Sequence, residues 1–197
     1  MTTIERGGHR IRVLYSPEEI AARNGEIAQE IGTRAGPRPL VIAILKGSFV
    51  FAADLLRALY TAGLSPEVEF MSLSSYGAGT ESSGRVTVLR DIDSDVKGRT
   101  VILVDDILES GRTLAYAKDL LAARGADTVL TCVLLDKPGK RAADINPDFV
   151  GFTCPDLFVV GYGMDVAHAF RELPFVGIVE ERAPDDGAPE NGNGGND

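Results

Sequence analysis

The thirteen residues from Val101 to Thr113, VILVDDILESGRT, constrain this 197-residue chain more than any other stretch. Val101, Ile102, Leu103 and Val104 form a short continuous apolar run, the pattern of a strand covered on both faces in a parallel sheet. Asp105 and Asp106 fall where such a strand ends, and the carboxyl ends of parallel strands are where open α/β sheets hold their ligands. Glu109-Ser110-Gly111-Arg112-Thr113 comes next, followed by Leu114, Ala117, Leu120 and Leu121 at helical spacing. A helix N-terminus exposes unpaired N–H groups and a partial positive charge, and Gly111 removes the Cβ that would keep a phosphate away. An isolated Asp-Asp pair is more often a cap or a turn. Here its position between a buried strand and an anion cradle argues for a ligand bearing both a diol and a phosphate, of which ribose 5-phosphate is the obvious small example.

The flanking sequence repeats the theme. Leu40 to Leu45 is a second apolar run, followed by Lys46-Gly47-Ser48 and a helix through Ala52, Leu55, Leu56 and Leu59. Two such strand–loop–helix units are expected side by side in one parallel sheet with right-handed crossovers. Upstream, Ile11 to Tyr15 reads as an edge strand. Ser16-Pro17-Glu18-Glu19 then supplies an N-cap, a first-turn Pro and a capping-box Glu for a helix with Ile20, Ile27, Ala28 and Ile31 on its apolar face, ended by Gly36 and Pro37. Further strands are expected at Val68–Leu73, Arg85–Ile92, Asp127–Leu135, Phe149–Thr153, Phe158–Val160 and Val176–Val179, and Ala169-Phe170-Arg171 reads as a helical turn. Gly125 is the expected stop of the central helix. The Gly- and Ser-rich stretch from Ser74 to Gly84 suits either a solvated hairpin tip or a flexible lid that closes over substrate. Residues 183–197 carry no apolar side chain larger than Ala or Pro and read as a disordered acidic tail behind a single domain over 1–182.

Composition narrows the partners. The formal charge of −9 speaks against a nucleic-acid or anionic-membrane surface, and no apolar run approaches the ~20 residues of a membrane span. Cys132 and Cys154 lack CxxC spacing and sit in apolar surroundings, as reduced core thiols do; with no apolar leader in MTTIERGGHR, a cytoplasmic protein is expected.

The run of apolar residues, two acids, two apolar residues, then acid, Ser or Thr, Gly, any residue and Thr resembles the phosphoribosyl pyrophosphate (PRPP) signature of the type I phosphoribosyltransferases. Leu45-Lys46-Gly47 with its Phe-rich helix, Ser75-Tyr76-Gly77, Lys137, Pro147 to Phe152, and Phe158 to Tyr162 with Asp165 through Arg171 are similar, in that order, to the hypoxanthine and hypoxanthine-guanine members. The likeness covers roughly residues 10–180. It implies an α/β fold whose central, mostly parallel sheet is flanked by helices, with a small hood lobe and a flexible lid containing Ser75 and Tyr76. It implies transfer of the 5-phosphoribosyl group of PRPP, with Mg²⁺, to hypoxanthine and guanine in purine salvage, giving IMP or GMP and pyrophosphate, in a homodimer or homotetramer.

The resemblance also assigns residues. Lys46, behind a strained or cis peptide, Gly47 and Arg171 serve pyrophosphate; Lys137 donates to the purine 6-oxo group, Phe158 stacks on the ring, Val159 offers main-chain bonds, and Asp165 acts through Mg²⁺ and water. A Lys is only a donor, so it favours an oxo over an amino group. Asp105 and Asp106 hold the ribose hydroxyls directly or through metal, Ser110, Gly111, Arg112 and Thr113 hold the 5-phosphate, and Glu109 manages the purine N7 proton. The family has Asp where this chain has Glu109, one methylene longer. Two rivals share these features: a xanthine-guanine transferase, and a regulator that binds PRPP or nucleotide without turnover, although neither a helix-turn-helix nor a basic face is apparent. No GxGxxG follows any strand, which removes a dinucleotide-binding reading.

Overall fold

The computed structural model describes residues 2–6, 9–75 and 86–180, the side chain of Ser75 excepted. Tyr76 and the tip of the expected lid, Arg85 and the expected tail all lie outside the described residues.

Two sheets organise the chain. The larger has six strands in the order β5-β4-β3-β6-β7-β8, namely Val86–Arg90, Glu67–Ser75, Leu40–Leu45, Thr100–Leu108, Thr128–Asp136 and Phe149–Thr153. All its neighbours run parallel except β4 with β5. Helices α1 (Pro17–Ala35) and α2 (Phe49–Thr61) cover one face, burying Ile20, Ile27, Ile31, Phe51, Leu55 and Leu59 against Val41, Ala43, Ile102 and Val104. Helix α3 (Arg112–Ala123) covers the other, setting Leu114, Ala117 and Leu121 against Ile42, Val101, Leu103 and Val133. Burial on both faces is why the central strands read as unbroken apolar runs. The smaller, antiparallel sheet has the order β1-β2-β10-β9, from Thr3–Arg6, His9–Tyr15, Val176–Glu180 and Val159–Val160.

Helix α1 begins as its capping box requires. The Ser16 hydroxyl accepts from Glu19 N at 3.2 Å, and the Glu19 carboxylate accepts from Ser16 N at 2.7 Å. Helix α3 ends before Gly125, which takes φ +89°.

Three expectations need correction. Strand β6 does not stop at Val104 but continues through both aspartates to Leu108, because β7 keeps pairing with it as far as Leu108↔Asp136. Its pairing with β3 does end at Val104↔Ala43. The segment Ile11–Tyr15 is not an edge, since β2 lies between β1 and β10. Residues Ala169-Phe170-Arg171 form no helical turn: Ala167, His168 and Phe170 have φ of +48°, +69° and +77°, and Val166 bridges Ala169 across a tight antiparallel loop.

Beyond Val104 the two strands part, β3 running on to Leu45 beside β4 and β6 to Leu108 beside β7, so the sheet opens there. This is also the switch point of the sheet, where chain order departs in opposite directions from β3, and such crevices are where α/β sheets bind ligands.

Candidate active site

Two connected clefts occupy that opening. One, of about 520 Å³, is lined by Lys46, Gly47, Asp105, Asp106, Glu109, Ser110, Gly111 and Thr113. The second, of about 440 Å³, is lined by Lys137, Phe158, Val159 and Asp165 together with Asp106 and Glu109. Asp106, Ile107, Glu109 and Lys140 belong to both, so strand β6 and its loop form a shared wall.

At the phosphate end the backbone does the work. Gly111, at φ +79°, offers no side-chain cap to α3, and Arg112 N makes only a long 3.5 Å approach to Ser110 Oγ, so the first turn of the helix keeps backbone donors to spare beside the cleft. A Cβ on Gly111 would lie 2.7 Å from Ile145 Cγ2. The segment after β7 braces this loop from behind: Ala142 N and Ala143 N both donate to Ser110 O, at 2.9 and 3.0 Å. Arg141, ion-paired with Asp136, fills the space beneath Gly111. Arg112 is exposed and lines neither cleft.

The two aspartates are held by their neighbours' amides. Asp105 accepts from Asp106 N and Asp106 from Ile107 N, each at 3.0 Å. Burial, reinforced by repulsion from Asp106, pushes the Asp105 carboxyl well above the usual carboxylate range; burial also raises Asp106, partly offset by its hydrogen bonds with Asp105 and the Ile107 amide and, less, by Arg171. The loop after β3 comes very close: a Cβ on Gly47 would collide with the Asp106 carboxylate, and one on Gly163 would collide with the Gly47 carbonyl. The Leu45–Lys46 peptide is cis, as the resemblance implied.

The base end is assembled from distant segments. Lys137, only 7% exposed at the end of β7, donates from Nζ to Leu157 O at 2.6 Å, and its own N–H donates to Leu108 O at 2.9 Å. Phe158 is 60% exposed and offers a free ring face, while Val159 beside it is buried in β9. Asp165 is ion-paired with Arg171 at 2.6 Å, and the same guanidinium donates to Gly163 O at 2.6 Å. Arg171 lines neither cleft as it stands; it borders an apolar cavity between α1 and α2 instead. Lys140 went unnoticed in the sequence. It pairs with Asp156 at 2.8 Å and reaches Glu109 at 3.5 Å, and nothing in the pattern Pro138-Gly139-Lys140 signals that a loop will carry it over the shared wall.

The donor set suits Mg²⁺. Asp105, Asp106 and Asp165 offer hard oxygens, and the buried Asp105–Asp106 pair carries an electrostatic cost that a cation would relieve. Among the described residues no three such groups converge into a cage. Mg²⁺ is ordinarily held by one or two carboxylates plus substrate oxygens and water, so an open arrangement fits.

A phosphate cradle joined through paired acids to a base cleft, at the switch point of a parallel sheet, defines a phosphoribosyltransferase, and the model of the phosphoribosyl transferase domain matches residues 13–167. The hypoxanthine phosphoribosyltransferase of Salmonella typhimurium is 41% identical over 174 residues, covering 87% of this chain and 96% of that one. The hypoxanthine-guanine phosphoribosyltransferase of Streptococcus agalactiae is 42% identical over 171 residues, with 86% and 93% covered. The solved hypoxanthine-guanine phosphoribosyltransferase of Bacillus anthracis superposes with TM-score 0.80 at 43% identity, covering 85% of this chain and 98% of that one. This chain belongs to the hypoxanthine phosphoribosyltransferase family.

Proposed function

We propose that the chain transfers the 5-phosphoribosyl group of PRPP to hypoxanthine and guanine, forming IMP or GMP and releasing pyrophosphate. The observation that carries this reading is the shared wall: Asp106 and Glu109 border the phosphate cleft and the Lys137–Phe158 cleft alike, so a ribose between them faces donor and acceptor together. Ser110, Gly111 and Thr113 hold the 5-phosphate, and Asp105 and Asp106 hold the ribose hydroxyls, which fixes C1 against the purine nitrogen and removes orientational entropy from the barrier. Lys46, Gly47 and Arg171 receive the pyrophosphate. Mg²⁺, when bound, offsets the negative charge that gathers on that leaving group. Glu109 takes the proton the purine must lose, a role usually contributing ~10² to 10⁴ in rate. Lys137 exchanges its bond to Leu157 O for the purine 6-oxo group, and Phe158 stacks on the ring. The small sheet, which carries β9, is the hood over the base, and Ser75 and Tyr76 belong to the lid.

Nucleotide formation with Mg²⁺, PRPP and hypoxanthine, guanine, xanthine and adenine in parallel tests this. Turnover is expected for hypoxanthine and guanine. Preference for xanthine and guanine would make it a xanthine-guanine transferase, and PRPP binding without turnover of any base would make it a regulator. Exposed Phe49, Tyr60, Val68 and Phe70 near α2 and the sheet edge favour a homodimer or homotetramer, to be read by light scattering. A cytoplasmic location accords with two free, buried thiols, with burial pushing that of Cys132 up, and no described helix is long and apolar enough to cross a membrane.

A further inference from the structure

Tyr162 touches neither cleft, yet its backbone and side chain are both unusual. It follows β9 with φ +50°, between Gly161 at +91° and Gly163 at +101°. A non-glycine side chain in that region persists where its surroundings over-determine it. Two elements do so. The phenol, 4% exposed, donates to Asp54 Oδ2 of α2 at 2.7 Å and accepts from Asn24 Nδ2 of α1 at 3.0 Å. Asn24 Oδ1 is left buried without a partner among the described residues. Buried acceptors without a partner are uncommon in folded proteins.

The tie joins two loops. Helix α2 starts immediately after Lys46-Gly47-Ser48, so Asp54 is rigidly connected to the loop proposed for pyrophosphate. Gly163, next to Tyr162, rests on the Gly47 carbonyl so closely that a Cβ there would collide with it. From the other side Gly163 O accepts from Arg171, which also holds Asp165. Lys46 and Gly47 thus sit on one loop, Asp165 and Arg171 on the other, and the Tyr162 phenol is anchored to α2, which follows the first, and to α1.

We propose that Tyr162, through its hydrogen bond to Asp54, is a positioning residue that sets the spacing of the Lys46–Gly47 loop against the Asp165–Arg171 loop, and hence the affinity for the diphosphate of PRPP and for pyrophosphate. The inference rests on the proposed transferase reading. Burial and the neighbouring Asp54 carboxylate push the phenol up, so it remains a proton donor across the working pH range.

The test compares Tyr162→Phe, Asp54→Ala and Asp54→Asn, each assayed below its own melting temperature. Tyr162→Phe and Asp54→Ala are expected to raise KM for PRPP, and KM for pyrophosphate in the reverse reaction, by about tenfold, with KM for hypoxanthine within about twofold. Asp54→Asn keeps an acceptor oxygen and restores both constants. The double variant Tyr162→Phe/Asp54→Ala is no worse than either single one, because both remove the same bond. A Tyr162→Phe protein that melts earlier but keeps both diphosphate constants, or loses hypoxanthine affinity equally, overturns the proposal. Should the unsubstituted protein transfer to no base, the transferase reading fails by itself, and calorimetry of PRPP and pyrophosphate with Mg²⁺ on the same variants decides this inference.

Discussion

The phosphate end and the base end of the cleft are built on opposite principles. From Glu109 to Thr113 the site is one contiguous loop, shaped by the φ of Gly111 and braced by backbone bonds, with its helix N-terminus left uncapped. At the other end Lys137 and Asp165 arrive from separate segments and already have partners, Lys137 in the Leu157 carbonyl and Asp165 in Arg171. The first end is preorganised, its loop braced and its helix start free of a side-chain cap from Gly111. On the proposed function the second exchanges internal partners for substrate, and the difference between those two sets of bonds sets affinity and selectivity.

The largest effect that would sharpen this contrast belongs to the shared wall. Glu109→Gln is expected to lower kcat by about 10² to 10⁴ while PRPP affinity, measured by calorimetry, stays unchanged. An unchanged kcat would remove Glu109 from the chemistry and leave it as Lys140's partner. Next, Gly47→Ala forces the loop off the Asp106 carboxylate and should cost about 10²-fold in kcat/KM for PRPP. Retained activity would mean that the loops are not held as tightly as their contact suggests. Lys137→Met should raise KM for hypoxanthine by roughly ten- to a hundredfold, the worth of a charged hydrogen bond, with KM for PRPP unaltered. Loss of both affinities would show the two ends to be coupled rather than separate.

The smallest effect is on stability. The Asp105 carboxyl is raised by burial, so in the folded state its charged form is disfavoured. The stabilisation it gives is therefore complete only below the ordinary carboxylate range and is lost as pH rises through the raised value. Asp105→Asn should raise Tm at pH 7, lose that advantage at pH 3, and bind PRPP with Mg²⁺ poorly. A lower Tm at pH 7 would show the amide bonds to outweigh the buried charge.

The sequence was most legible where one short segment does one job. Apolar runs marked β3 and β8 to the residue, and the capping box marked the start of α1, because local sterics and burial decide those elements. The loop between β6 and α3 was legible for the same reason. Strand β6 was misjudged because acids ordinarily end a buried strand, whereas here pairing with β7 carries them onward. The loop from Val166 to Arg171 was misjudged because its left-handed residues are held by tertiary bonds, such as Gly163 N to Arg171 O at 3.0 Å, that no local pattern announces. Lys140 and Tyr162 were missed alike: each matters through partners far along the chain or in a different loop.

The stretch of β6 beyond its pairing with β3 also serves as a ruler. Four residues, Asp105 to Leu108, extend beyond the last pairing with β3, and at ~3.3 Å per residue they measure out about 13 Å of wall. That length, more than any single side chain, sets how far Asp105 lies from the loop that begins at Glu109. Removing one residue would turn every following side chain to the opposite face, while removing two would preserve the faces and shorten the wall by about 6.6 Å. The spacing is thus quantised by the pleat.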